Sequence, residues 1–337
     1  MKLATWHWHI EISSKCTLAC PRCPRQEHPE SLVQTELKLD FFKRNFTPDF
    51  IKQHVEKITF CGDDGDPIYA RELIDVIQYF KSIKPVKFVI VTNGSYQKPQ
   101  WWTRLGHTLT DIDHIHFSID GWDHASNQLY RVNSDWDSIM AGVQRLRRIS
   151  KVYLTWDMIV FKFNEDRIDQ MYALARKHGF DELQITRSTK FGANYESYPK
   201  DDPLQPSDAN VSDSARFTRE IQVISGRQVS DVGLQTNLQL YDAVPTFGDI
   251  KPICAIGNKG LYINSQGLLF PCCWVANRYG HNTEWQQLGQ NFNLNKRTVS
   301  TVLADPFWNT TFKNFQWLEC KTKCNIKVVD KDYGTQW

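Results

Sequence analysis

Three cysteines near the beginning of the 337-residue chain have a spacing that suits metal binding. Cys16, Cys20 and Cys23 lie in the run SSKCTLACPRCPR, directly after a strand-like segment. Three thiolates on one short loop can hold three corners of a four-iron cluster and leave the fourth iron open to a small ligand. Structural zinc is the alternative, although zinc prefers four protein ligands in two pairs and only His28 lies nearby as a fourth.

Strands and helices alternate through the first half of the chain, which predicts how this loop is positioned. Hydrophobic periodicity predicts strands at residues 6–12, 57–61, 87–92, 114–120, 152–160 and 182–186. Helical patterns fall at residues 39–57, 71–82, 135–150 and 164–178, and the last of them stops at a glycine. Such alternation predicts a parallel sheet, and parallel sheets bind ligands at the carboxyl ends of their strands.

Short polar motifs follow three of these strands at the edge where a ligand would bind. They are GDDGDP from Gly62, TNG ending at Gly94, and SIDG from Ser118, with Arg131 further along. Glycine lets the backbone approach a ligand closely, while carboxylates and hydroxyls can hold charged and hydroxylated groups. Each motif alone is also a common strand-to-helix turn.

Taken in this order after these strands, the cysteine loop and the motifs resemble radical S-adenosylmethionine (SAM) enzymes. The resemblance implies an α/β fold with a partial (β/α)6 TIM-like barrel over residues 1–188. It also implies a [4Fe–4S] cluster on Cys16, Cys20 and Cys23 with SAM at its open iron. The SAM contacts that it implies come from the motif residues, namely Gly62, Gly65, Asp66, Asn93, Ser118, Asp120 and Arg131. Asp66 would hold the methionyl ammonium, and Ser118 with Asp120 the ribose hydroxyls.

One residue of the cysteine loop departs from that family. The position before the third cysteine is usually aromatic there and packs near the adenine, but here it is Arg22. A guanidinium plane can stack on adenine. Solvation of Arg22 at the edge of the loop is the interpretation that we favour.

Cysteines return near the end of the chain, at Cys254, Cys272, Cys273, Cys320 and Cys324. A hairpin with a polar turn is predicted before Cys272 and would bring Cys254 close to it. The pattern resembles the twitch domain, the short form of the SPASM domain. That resemblance implies one auxiliary [4Fe–4S] cluster in a small domain at residues 251–337, after a connecting region at 189–250. Its ligands would be Cys254, Cys272, Cys320 and Cys324, with Cys273 able to replace Cys272, and a four-cysteine zinc site is the alternative.

The resemblance also implies a reaction. Reductive cleavage of SAM would give a 5′-deoxyadenosyl radical that takes hydrogen from a substrate, with the auxiliary cluster assisting electron transfer. An external one-electron reductant of flavodoxin or ferredoxin type would supply the electron. On the fourth strand, His114 and His116 lie on the same side as Ser118, so either can be a catalytic base or a hydrogen-bonded histidine of the barrel floor.

Composition limits the partners. A net charge of +2 without a basic block argues against nucleic acid. No apolar run is long enough to span a bilayer and no signal peptide is evident, so we expect a cytoplasmic protein. Because the chain begins almost at its first strand, we expect a small-molecule substrate. A peptide- or protein-modifying maturase is the alternative, and a non-catalytic metal-binding or electron-transfer protein is the alternative of another class.

Overall fold

The computed structural model describes residues 6–187, 201–207, 219–226, 261–280, 287 and 289–308. Three predicted auxiliary-cluster ligands, Cys254, Cys320 and Cys324, lie outside these residues. The described residues fall into two compact units. The first unit contains residues 6–16, 28–90 and those beyond 260, and the second contains residues 17–27, 91–187, 201–207 and 219–226.

The helices and strands are numbered along the chain. The strands are β1 Trp6–Ile10, β2 Val55–Phe60, β3 Lys87–Thr92, β4 His114–Ser118, β5 Tyr153–Val160, β6 Glu182–Arg187, β7 Arg219–Val223, β8 Tyr262–Ile263 and β9 Leu269–Phe270. The helices are α1 Pro24–Glu27, α2 Leu39–Asn45, α3 Pro48–His54, α4 Leu73–Lys81, α5 Pro99–Thr108, α6 His124–Gln128, α7 Trp136–Ile149, α8 Ile168–His178, α9 Cys273–Gly280 and α10 Val299–Ala304. None of these helices has the length and apolar composition needed to cross a lipid bilayer.

In the first unit the strand order is β3-β2-β1-β8-β9. Strands β1, β2 and β3 are parallel, β8 adds in parallel to the other edge of β1, and β9 is antiparallel to β8. One face of β1 is apolar, and Trp8 packs edge-on against Phe46, with ring centroids 5.0 Å apart. Burying a side chain of this kind contributes roughly 2–3 kcal/mol, which fixes the strand with His7 and His9 on its other face.

In the second unit the strand order is β7-β6-β5-β4, with β4, β5 and β6 parallel and β7 antiparallel to β6. The apolar face packs against helices: Trp102 of α5 lies 5.5 Å from Phe117 of β4, and Trp136 of α7 lies 6.0 Å from Trp156 of β5, between ring centroids. Alternation therefore places the polar side chains of these strands on the opposite face. They are His114, His116, Ser118, Thr155, Asp157, Glu182 and Gln184.

The predicted α/β class is confirmed, and the helices differ from the prediction in several places. The helix predicted at 39–57 is wrong as one element, because it divides into α2 and α3. Thr47 caps α3 by accepting a hydrogen bond from the Phe50 N–H, and Pro48 takes the first helical position, where its missing N–H costs nothing. Helices α1, α5 and α6 are absent from the prediction; α5 also has a proline, Pro99, at its first position, but no side chain caps it.

The predicted C-terminal hairpin is confirmed as β8 and β9. Gly267 adopts a φ of 79° in its turn, a conformation that favours glycine. The Asn264 side chain accepts the Leu268 N–H at 2.9 Å and thereby closes the turn. Since β8 pairs with β1, the hairpin extends the sheet of the first unit, and the boundaries predicted for an auxiliary domain stay a prediction.

Candidate active site

The cysteine loop presents thiols in a tight turn. Cys20 is buried, Cys16 and Cys23 are half-buried, and none of them forms a disulfide. The Cys23 N–H donates to the Cys20 carbonyl at 3.1 Å, and the Ala19 N–H donates to the Val132 carbonyl at 3.0 Å. Thiolates are the donors that iron–sulfur clusters prefer, so the chemistry of the loop fits the predicted cofactor. Among the described residues, no three Cys, His, Asp or Glu side chains are gathered as a ready metal site, and ligation stays a prediction.

Glu11, directly after β1, connects three segments of the first unit. Its Oε1 accepts the N–H groups of Asp64 at 2.7 Å and Gly65 at 3.1 Å, and its Oε2 accepts the N–H of Ser265 at 3.2 Å. Burial, followed by the charge of Asp64, raises the pKa of Glu11 to about 7. The carboxyl group therefore holds the GDDGDP loop and the turn of the hairpin against the end of β1.

The glycines of the GDDGDP loop are required by packing. A Cβ on Gly65 would lie 1.8 Å from the Ser13 carbonyl oxygen, and a Cβ on Gly62 would lie 2.6 Å from the Gly65 carbonyl oxygen. The Asp66 N–H donates to the Lys15 carbonyl at 2.9 Å. This loop is thus fixed against the residue that precedes Cys16. Contacts of Gly62 and Gly65 with SAM stay predictions.

Asp66 ends the loop and begins the next element. Its Oδ1 accepts the Ile68 N–H at 3.1 Å and caps a short 3₁₀ helix, Pro67–Tyr69. The side chain is buried. That cap orients the carboxylate from one side, and its predicted contact with the methionyl ammonium is untested.

Replacing Glu11 by Gln should alter the pH dependence of stability. Because the folded state raises the pKa of Glu11 above its ordinary value of 4.5, the stability that it contributes is complete below pH 4.5 and is lost as pH rises through about 7. That loss amounts to about 3 kcal/mol. Glutamine stays neutral, so the free energy of unfolding of Glu11→Gln relative to wild type should rise by about that amount between pH 5 and pH 8.

Urea unfolding at the two pH values measures this difference, and Glu30→Gln, at an exposed carboxylate, is the control. A difference between Glu11→Gln and wild type that is the same at both pH values would contradict it.

In the second unit, Asp120 and Arg131 support the cysteine loop. Asp120 is fully buried, and its Oδ2 accepts the Arg131 Nε–H at 2.6 Å while its Oδ1 accepts the Ile159 N–H at 2.7 Å. Burial raises the pKa of the Cys20 thiol, and the positive charge of the Arg131 guanidinium opposes that rise. Both oxygens of Asp120 are therefore engaged by protein donors. This packing makes Asp120 a support for Arg131 and Cys20, and ribose contact by Asp120 or Ser118 stays a prediction.

The TNG motif forms a local turn. The Asn93 Oδ1 accepts the Ser95 N–H at 2.9 Å, and the Thr92 Oγ1 accepts the Gly94 N–H at 3.0 Å. Gly94 has a φ of 73°, and a Cβ there would lie 2.8 Å from the Phe117 ring. The motif accordingly shapes the chain after β3, and the predicted SAM contact of Asn93 is untested.

The two histidines of β4 have different surroundings. The His116 Nδ1 lies 3.0 Å from the Asp157 Oδ2 on β5, and both side chains are partly exposed. His114 is buried, and its ring stacks on Tyr153 with centroids 4.8 Å apart. Geometry therefore favours His116, with Asp157 as its orienting group, over His114 as a proton acceptor.

Arg22 is not solvated at the edge of the loop, so that expectation is wrong. Its side chain is 3% exposed and forms an ion pair with Asp202, whose side chain is 7% exposed. Segment 201–207 provides a partner carboxylate, and a guanidinium is buried in proteins only with such compensation. Nothing in the local sequence marks Asp202 as that partner.

Cys61, at the end of β2, is a residue that sequence reasoning left without a role. Burial raises the pKa of its thiol well above the ordinary value, and Asp63 and Cys273 add to the rise. Cys273 begins α9, and Cys272 is buried just before it. The choice between Cys272 and Cys273 as a cluster ligand is untested.

Residues 10–175 match the radical SAM superfamily. That stretch includes the cysteine loop and the motifs after β2, β3 and β4. The chain is a radical SAM enzyme. The radical SAM enzyme is similar to the PqqA peptide cyclase of Gluconobacter oxydans, with 22% identity over 271 residues that cover 78% of this chain and 68% of the relative. A PqqA peptide cyclase of Xanthomonas campestris is 21% identical over 189 residues, which cover 54% of this chain and 47% of the relative.

Two solved structures share the fold of this radical SAM enzyme. SuiB of Streptococcus suis bound to S-adenosylmethionine has a TM-score of 0.55 at 13% identity and covers 92% of this chain and 68% of its own. The enzyme anSMEcpe with bound AdoMet has a TM-score of 0.56 at 14% identity and covers 94% of this chain and 82% of its own. The fold is therefore that of a partial TIM-like barrel with mostly parallel strands, as predicted.

Proposed function

We propose that this radical SAM enzyme is an oxidoreductase that abstracts hydrogen from a peptide substrate. The observation that carries the proposal is the C-x3-C-x2-C loop, which lies with three strand-end motifs inside the stretch that matches the superfamily. Cys16, Cys20 and Cys23 would hold the [4Fe–4S] cluster. When SAM is bound at such a cluster, it supplies a 5′-deoxyadenosyl radical able to remove hydrogen from an unactivated carbon.

The chain's own residues have supporting tasks in this proposal. Glu11 and Asp66 fix the GDDGDP loop beside Lys15, and Asp66 offers a carboxylate for the methionyl ammonium. Arg131 is held by Asp120, and its positive charge opposes the rise that burial causes in the pKa of the Cys20 thiol. Within each of the two units these groups are held by backbone hydrogen bonds and packing, which supports their proposed tasks.

His116 is the proposed base for the second half of an oxidation, in which a substrate radical loses a proton. With Asp157 accepting the Nδ1 proton, Nε2 of the neutral ring is the acceptor. An auxiliary cluster in the C-terminal region would take up the electron, with Cys272 or Cys273 among its ligands. The buried polar groups of β5 and β6 beside His116, namely Thr155, Glu182 and Gln184, offer hydrogen bonds to a polar substrate.

Relatives favour a peptide over a small molecule. Two similar curated proteins are PqqA peptide cyclases, and structures with the same fold hold the precursor peptide SuiA or a Cp18Cys peptide. We therefore propose a peptide substrate, as in the peptide- or protein-modifying maturase considered above. The test must distinguish it from a small-molecule substrate.

Anaerobic reconstitution tests the enzyme class. Iron and sulfide without zinc, and 5′-deoxyadenosine formed from SAM with dithionite, are the expected results, with about eight irons if both clusters assemble. Zinc in place of iron, or no cleavage of SAM by a protein that carries its cluster, would overturn the proposal.

Isotope transfer tests the substrate class. A cell extract from cultures grown in deuterated medium is divided by size into a peptide and protein fraction and a small-metabolite fraction, and each is added to the enzyme. Deuterium should enter 5′-deoxyadenosine only with the peptide and protein fraction. Transfer from the small-metabolite fraction alone would reject a peptide substrate and leave the enzyme class intact.

A further inference from the structure

Segment 201–207 is bonded to the cysteine loop within the second unit. Arg22 stands between Cys20 and Cys23, and its guanidinium pairs with the Asp202 carboxylate. Asp202 is itself oriented, because its Oδ1 accepts the Leu204 N–H at 2.8 Å. Both charged side chains are almost completely withdrawn from water, so removing either one leaves a buried charge at a high cost in free energy.

The same segment is bonded to the turn that follows β5. The Leu204 carbonyl accepts the Lys162 N–H at 3.1 Å. The Ser207 N–H and its hydroxyl both donate to the Glu165 carboxylate at 2.7 Å. Segment 201–207 therefore connects the cysteine loop to the carboxyl end of β5.

That turn after β5 leads back to the cysteine loop by a second route. The Asn164 Nδ2 donates to the Asp120 carbonyl at 2.8 Å, and Asp120 binds Arg131, whose neighbour Val132 accepts the Ala19 N–H at 3.0 Å. The contacts form a closed ring that starts at Ala19 and returns at Arg22, three residues later. A ring of this kind restrains the loop backbone from both sides.

We propose that Asp202 is a positioning residue for the cofactor, which fixes the backbone between Cys20 and Cys23 through Arg22 and thereby maintains cluster retention and SAM affinity. This inference rests on the proposed function. Without Asp202, the buried guanidinium loses the charge of this carboxylate, so the position of Arg22 and of the loop that carries it is held less firmly. Residues that hold metal ligands in place typically change affinity or activity about 10–100-fold when they are replaced.

The test compares Asp202→Asn with Asp201→Asn, which removes a neighbouring carboxylate that is exposed to solvent. After anaerobic reconstitution, two quantities are measured: the iron retained against a chelator, and the dissociation constant for SAM from the change that it causes in the EPR spectrum of the reduced cluster. Asp202→Asn should lose iron faster or bind SAM at least about tenfold more weakly. Asp201→Asn should match wild type, and melting temperatures report whether each protein is folded.

Charge exchange supplies a second variant in case Asp202→Asn does not fold. The double variant Arg22→Asp with Asp202→Arg restores opposite charges and should recover part of the iron retention and the SAM affinity. Equal behaviour of Asp202→Asn and wild type, or no recovery in the double variant, overturns the inference. If wild type retains its cluster but does not cleave SAM, the proposed function fails, and the effect of Asp202 on iron retention is still measured.

Discussion

Replacing Cys16, Cys20 or Cys23 by Ala should abolish formation of 5′-deoxyadenosine from SAM. Each thiolate is one of only three proposed protein ligands on the loop, so its loss leaves two, too few to keep a four-iron cluster while one iron stays open. The loss should exceed the roughly 10–100-fold effect of replacing a residue that merely orients a metal ligand. Anaerobic assay of 5′-deoxyadenosine, with iron counted in the same samples, measures it.

Thr17→Ala is the control, because Thr17 lies on the same loop and is exposed. It should keep both iron and activity. A cysteine variant that retains cluster and cleavage would show that this thiol is not a ligand and would leave the zinc interpretation to be considered again. If Thr17→Ala also loses activity, the cysteine results would reflect a loop that tolerates no substitution, and they would not show that the thiols are ligands.

Asp120→Asn should destabilise the folded protein by about 3–5 kcal/mol. The substitution removes the charge that compensates the buried Arg131 guanidinium, and a buried charge without its partner is much more costly than the loss of one neutral hydrogen bond. The free energy of unfolding from urea titration gives the size of the effect. Since Val132, the next residue after Arg131, accepts the Ala19 N–H of the cysteine loop, iron retention should fall in parallel.

Asp111→Asn, at an exposed carboxylate, controls for the change of charge and should alter stability by less than about 0.5 kcal/mol. The double variant Asp120→Asn with Arg131→Met removes both charges, so it should be less destabilised than the sum of the two single variants. Additive effects, or a loss below about 1 kcal/mol for Asp120→Asn, would show that the pair is not the support described above.

Much of the site was predictable because its chemistry is encoded in short stretches of sequence. The spacing of Cys16, Cys20 and Cys23 and the motifs after three strands depend only on neighbours along the chain, and the superfamily match includes all of them. Trp8 and the other alternating apolar residues likewise indicated which face of each strand is buried. The helix break at Pro48 also has a local signal in the Thr47–Pro48 pair.

The remainder depends on partners that are remote in sequence. Glu11 accepts an N–H from Ser265, and Arg22 pairs with Asp202, but nothing beside either residue identifies the other. For Asp120, the motif predicts a ligand contact, whereas both of its carboxylate oxygens accept hydrogen bonds from Arg131 and Ile159 in the structure. These partners also could not be read from the local sequence. Side-chain partners of this kind are decided when the strands assemble.

The pairing of β8 with β1 has a consequence for the synthesis of the protein. His9 and Ile10 of β1 face Tyr262 and Ile263 across this contact, so one side of the earliest strand has to wait for residues translated some 250 positions later. An unpaired strand edge is a template for association with other chains, and delayed long-range pairing slows folding. During translation, the unpaired edge of β1 is therefore exposed to aggregation until β8 has been synthesised. Chaperone protection of the nascent polypeptide would matter most in this period.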